Sequence, residues 1–179
     1  MLINITMDLL VAEIAQASKK AFLKLFENNE EYYYCALITT GEALSPFVSA
    51  WSLQALERKI GRMTNLDAIR YTKWSYADSP YMCFGEEYFT RVEMLFSQLP
   101  VMDYYLDEKE WIKRYDFRLK AMELALIQID SDGIFALTQP RKNVYLNVEV
   151  QPPDQSNTER ALRFNKAEDI RTWLNEAAE

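Results

Sequence analysis

A chain of 179 residues, 49% hydrophobic and 26% charged, has room for one domain with a real core and the make-up of a globular protein. It contains no histidine, which excludes Ser-His-Asp and Cys-His catalysis and His-ligated zinc, and its two cysteines are too few for a structural zinc site. Its 27 acidic and 20 basic residues leave a net charge of −7, which disfavours nucleic acid as a direct partner and suits a basic protein partner, though it also serves plain solubility.

No apolar run approaches the roughly 20 residues that a membrane helix needs. The opening M-L-I-N-I-T-M-D lacks the basic start and cleavage site of a signal peptide. The expectation is a cytoplasmic protein, away from the membrane and without a cofactor. Cys35 lies in an apolar run and reads as a small core residue, and a cytosolic setting disfavours its pairing with Cys83.

Residues 6–27 read as a helix, with Leu10, Ile14, Ala17, Ala21 and Leu25 at helical spacing and Thr6 as its N-cap. Asn28 and Asn29 break it. Residues 32–51 then carry two strands joined by a turn at 39–42. The first alternates Tyr32, Tyr34, Ala36 and Ile38 against Tyr33, Cys35, Leu37 and Thr39. It is apolar on both faces, so it belongs inside a sheet. The second carries Pro46 near its start, which marks an edge strand or an irregular beginning.

A helix follows over 52–63, with Leu53, Leu56, Ile60 and Met63 on one face, and a short one over 66–71. Residues 75–80, S-Y-A-D-S-P, read as a loop. Residues 86–99 form a helix that Pro100 ends. Asp107 opens the longest helix, with Glu110 at capping-box spacing and an apolar stripe from Trp111 to Ile129. Asp130, Asp132 and Gly133 resemble half a calcium loop, but no closing Glu follows, so they read as a turn.

Two more strands are expected, over 134–137 and 144–150. In the second, Val144, Leu146, Val148 and Val150 alternate with Tyr145, Asn147 and Glu149, which predicts one buried face and one wetter face. Ser156 with Glu159, and Asn165 with Glu168, have capping-box spacing before two closing helices. Strands in pairs, separated by runs of helices, predict one α+β domain over residues 1–179. Its sheet is expected to be mostly antiparallel, of about four or more strands, packed by several helices.

Three segments resemble a bacterial family catalogued as domain of unknown function 4303. They are Y-Y-Y-C-A-L-I-T-T with L-S-P-F-V-S-A-W and L-Q-A-L-E-R; I-R-Y-T-K-W-S-Y-A-D-S-P-Y; and D-G-I-F-A-L with V-Y-L-N-V-E-V and L-R-F-N. The chain departs from the family's pattern at Lys73 and at Tyr81, where a tryptophan is usual, so no site is carried over there. In size and charge such proteins are similar to immunity proteins encoded beside secreted toxins. The resemblance therefore implies a non-catalytic, cytoplasmic immunity protein that neutralises a toxin, its partner a basic toxin domain.

Two segments could carry such an interaction. Asp103, Tyr104, Tyr105, Asp107, Glu108 and Glu110 set acids among aromatics, as a surface that captures Arg and Lys requires. The same residues also suit a plain loop and helix start. Lys73, Trp74, Tyr76 and Asp78, with Tyr81 beyond them, form the second segment, on a loop. Two further readings stay open: a carboxylate- or metal-dependent hydrolase, drawing on acids such as Glu86, Glu87 and Glu93, and a structural or regulatory adaptor.

Overall fold

The computed structural model describes residues 4–179. The chain opens with helix α1, Met7–Phe26, capped as the sequence predicts: the Thr6 hydroxyl accepts a hydrogen bond from the Leu9 amide at 3.2 Å. Its buried stripe contains Leu10, Ile14, Ala17, Ala21 and Leu25. Strand β1, Tyr32–Thr40, follows and pairs antiparallel with β2, Phe47–Ser52. A bulge between Tyr32 and Tyr34 interrupts the alternation. Tyr34, Ala36 and Ile38 share one face and Cys35 and Leu37 the other, as expected. Tyr32 and Tyr33 exchange faces across the bulge.

The rest of the chain runs through α2 (Leu53–Ile60), α3 (Leu66–Trp74), α4 (Thr90–Gln98) and α5 (Glu108–Ser131) to β3 (Tyr145–Gln151), and closes with α6 (Gln155–Phe164) and α7 (Arg171–Glu176). The class is α+β, with seven α-helices and three strands among the described residues. The sheet corrects the expectation in two ways. Its order is β2-β1-β3, and β3 lies parallel to β1, so the sheet is mixed and has three strands, not four or more.

The strand expected over 134–137 is instead a short 3-10 turn, Ile134–Ala136. Ile134 and Phe135 are buried and Leu137 is exposed, so the segment plugs the core without extending. Its successor Gln139 takes the strand's place by side chain: the amide accepts from the Tyr32 N–H and donates to the Tyr32 carbonyl.

A second device stops the sheet at three strands. The outer edge of β3 is bonded along its length by side chains of α6. Asn157 both donates to and accepts from the Val150 backbone, and Asn165 does the same for Leu146. Arg160 donates to the Val148 carbonyl at 2.9 Å. No ladder groups are left at these residues for a further strand. Asn165 therefore finishes α6 and does not cap α7. At the start of α6 the cap is Asp154, not Ser156, whose amide and hydroxyl both donate to the Asp154 carboxylate.

Helices cover both faces of the sheet. On one face α1, α4 and α5 pack on Cys35, Leu37, Leu146 and Val148. On the other, Ala55 of α2, Ala161 of α6 and Trp173 of α7 pack on Tyr34, Ile38, Trp51 and Tyr145. The wetter face expected of β3 is thus buried too, with Asn147 and Glu149 inside it. Burying a side chain such as Leu37 or Ile38 contributes about 1.5–3 kcal/mol, and β1 is buried at seven of its nine positions. On α2 the expected face packs only in part: Leu56 meets the core and Ile60 is half-buried, but Leu53 is exposed, Met63 lies exposed beyond the helix, and Ala55 is the buried residue. Gly85, at φ +71°, lies so close to α1 that a Cβ there would come within 2.8 Å of the Ala21 Cβ.

Candidate functional site

The segment 73–81 is held against the sheet by its own backbone. The Tyr33 hydroxyl donates to the Lys73 carbonyl at 2.7 Å, the Trp51 indole to the Ser75 carbonyl at 2.8 Å and the Ser49 hydroxyl to the Tyr76 carbonyl at 3.0 Å. Trp74 ends α3 and packs edge-on against Tyr33. Its indole N–H donates to the Glu176 carboxylate of α7 at 2.8 Å. The Lys73 ammonium reaches the same carboxylate at 2.9 Å and lies 4.9 Å from the centre of the Trp74 ring. Burial alone would raise the pKa of Glu176, but the Lys73 and Trp74 hydrogen bonds outweigh it and hold the carboxyl below its ordinary value.

Trp74 and Tyr76 border a pocket of about 290 Å³, with Arg70, Tyr71, Trp173 and Glu149 also in its lining. Glu176 and Glu179 add two more carboxylates to its wall. Asp78 is half-buried beside this pocket but outside its lining. Glu149 projects from the buried face of β3, where the Tyr34 hydroxyl donates to it at 2.9 Å and the Tyr145 hydroxyl at 3.1 Å. The two tyrosine rings stack at 5.4 Å with 8° between their planes. Burial pushes the Glu149 carboxyl up to about 7, against the pull of the two hydroxyls. The tyrosines are themselves pushed up by burial, so they remain donors.

The second segment is arranged differently. Asp107 caps α5, accepting from the Lys109 and Glu110 amides. Glu110 does not close a capping box and instead pairs with Arg114 at 2.9 Å. Asp103 accepts from the Tyr105 amide in a tight turn. That turn leaves Tyr104 and Tyr105 93% and 91% exposed, with their rings edge to face at 5.8 Å. Glu108 is exposed, and with Tyr104, Trp111 and Glu42 it lines a shallow cleft of about 510 Å³.

The 73–81 segment lies along β2 and the first half of β1, from Tyr33 and Trp51 to Ser49, whereas the 103–111 segment lies near Glu42, past the carboxyl end of β1. Thr40 pairs with Gln151 at the carboxyl end of the parallel strands. Gln151 borders the pocket over Glu149, and Glu42, two residues past Thr40, borders the cleft under Tyr104. Faces of Trp and Tyr with carboxylates between them are chemistry for holding a cation, and the chain's own Lys73 already uses it. Glu149, Glu176, Tyr34, Tyr145 and Trp173 were not expected as site residues. The available signal was Tyr145, Asn147 and Glu149 at alternate positions of a strand, polar groups that need aromatic hydroxyls or amides if buried.

Among the described residues no three His, Cys, Asp or Glu side chains gather as a metal site. Glu86, Glu87 and Glu93 are exposed. Asp132 and Gly133 form the turn that the sequence suggests, and Asp130 and Asp132 pair with Arg141 and Lys19. No helix of the described residues is long and apolar enough to cross a membrane.

Over residues 13–166 the sequence matches the family described as Domain of unknown function (DUF4303). The chain belongs to this family. The match takes in β1 to β3 and all of α6, so the DUF4303 region contains Trp74, Tyr76, Glu149 and the 103–111 segment, whereas Trp173 and Glu176 lie beyond it. No curated protein and no solved structure matches the chain.

Proposed function

We propose that this DUF4303 protein is a non-catalytic binding protein of the immunity type, which neutralises a toxin in the cytoplasm by holding a basic surface of it. The observation that carries the reading is the pocket bordered by Trp74, Tyr76 and Trp173, with the carboxylates of Glu149, Glu176 and Glu179 in its wall. It suits a guanidinium or ammonium group arriving from a partner, with aromatic faces for desolvated contact and acids for charge. Tyr104 and Tyr105, exposed beside Asp103, Asp107 and Glu108, supply a second anchor.

The test is co-expression with the product of the adjacent gene. A stable complex that Trp74→Ala and Tyr104→Ala each weaken supports the reading. A neighbour that is neither toxic nor bound removes its basis. A carboxylate-dependent hydrolase is the second reading, because a glutamic acid with a pKa near 7 also suits acid–base work. It requires turnover of some ester, phosphoester or glycoside that Glu149→Gln abolishes.

A further inference from the structure

A further concavity lies on another surface. A groove of about 1160 Å³ runs along α5 from Lys109 to Glu123, walled by α6 and by Leu99 and Pro100. At about 1.5 Å per residue that stretch spans roughly 21 Å. Its volume exceeds the roughly 300–1,000 Å³ usual for a small-molecule pocket. Ile112, Tyr115 and Leu119 recur at helical spacing along it, and Ile112 is 45% exposed.

The charge of this groove is opposite to that of the chain. Seven Lys and Arg line it against four Asp and Glu. Two of those acids are shared between pairs of cations: Glu110 by Lys113 and Arg114, and Glu123 by Lys120 and Arg163. Lys109, Arg118 and Arg160 have no carboxylate, and Asp116 and Glu159 no cation, within ion-pair distance among the described residues, which leaves the lining net positive by three. Arg160 is occupied, holding the β3 edge through Val148 and Asn157.

Arg118 is not occupied in that way. It is only 3% exposed, and among the described residues it makes one hydrogen bond, from Nη2 to the Pro100 carbonyl at 2.7 Å. Its Nε and Nη1 have no partner there. Its guanidinium lies 5.9 Å from the Phe96 ring centre. Burial and the neighbouring Arg114 both disfavour its charge. A guanidinium that bonds one backbone carbonyl among the described residues and borders a groove has donors that suit a carboxylate.

We infer that this groove docks an acidic amphipathic helix of a protein partner, with an Asp or Glu of that helix paired to Arg118 and its apolar face on Ile112, Tyr115 and Leu119. The length of groove takes about four turns of helix, and an apolar floor with basic borders complements a helix with an apolar face and acidic flanks. This surface is distinct from the pocket over Glu149, which takes the opposite charge.

The test is a peptide-display selection against the full chain, using a library of helical 16-residue segments of random charge. Enrichment of peptides with Asp or Glu at helical spacing around an apolar stripe is expected. Their binding should fall at least tenfold with Arg118→Met and with the double change Lys109→Glu and Lys113→Glu. The second variant alters exposed side chains only, so it reads the groove even if Arg118→Met does not fold. Enrichment of basic peptides alone, no enrichment, or acidic peptides indifferent to the double variant overturns the proposal.

Discussion

Replacing Glu149 by glutamine should stabilise the protein at alkaline pH and leave it nearly unchanged at acid pH. The buried carboxyl titrates at about 7, against an ordinary value of 4.5. The folded state thus holds the proton more tightly than the unfolded chain. Below pH 4.5 both states are protonated and Glu149 costs nothing. Between 4.5 and 7 its contribution declines, and above 7 the charge is buried at full cost. At about 1.4 kcal/mol per pH unit, the difference comes to roughly 3 kcal/mol. Glutamine keeps an acceptor for the Tyr34 or Tyr145 hydroxyl without the charge.

For a chain of this length roughly 3 kcal/mol corresponds to about 6–12 °C in Tm. The assay is thermal unfolding of wild type and E149Q at pH 5 and pH 8. Glu30, Asp154 and Glu176 have lowered pKa values and shift the wild-type curve the other way, so the difference between the two proteins is the quantity to read. A gain at pH 8 with little change at pH 5 is expected. An equal loss at both pH values would refute the reasoning, because the carboxyl would then act by shape and hydrogen bonding and not by its charge.

Asn165→Ala should cost roughly 2–4 kcal/mol in urea unfolding, since it strips both backbone groups of Leu146 of their partner; the exposed neighbour Lys166→Ala should cost almost nothing. Gly85→Ala should destabilise by about 1–3 kcal/mol, from its left-handed backbone and its approach to Ala21, read as a drop in urea midpoint. The double change Tyr104→Ala and Tyr105→Ala should leave Tm within a degree or two and lower affinity for the proposed basic partner at least tenfold. That affinity should also rise from pH 6 to pH 8 as Glu149 ionises under a bound cation. Glu149→Gln should flatten the rise, with Tyr34, Tyr145, Glu179 and Arg160 as the other groups facing that carboxyl.

Local physics was legible in the sequence where it acted alone. The stripe of α1, the Thr6 and Asp107 caps, the two-faced burial of β1 and the edge position of β2 follow from periodicity, side-chain hydroxyls or carboxylates, and Pro46. What was not legible depends on partners far along the chain. That β3 runs parallel to β1 is settled by the helical crossover of more than a hundred residues between them, which no local pattern records. The polar positions Asn147 and Glu149 look solvent-facing until α6, α7 and Trp74 cover them and the tyrosines bond them. Asn165 resembles a helix cap, because the same amide that caps a helix can seal a strand edge. Of the candidate residues, Trp74 and Tyr76 meet Glu149 across one pocket, whereas the 103–111 segment forms its own exposed turn.

The most direct measurement is an amide and indole NMR titration of the full chain at pH 8 with N-acetyl-arginine amide, whose only charge is its guanidinium, and with N-acetyl-glutamine amide as the uncharged control. Trp74 and Trp173 border the proposed cation pocket, and the Trp74 indole N–H points at Glu176. The account predicts that the arginine probe moves both indole signals saturably, that the glutamine probe does not, and that Glu176→Gln weakens the response. Indole signals that ignore both probes, or move equally with both, would contradict it.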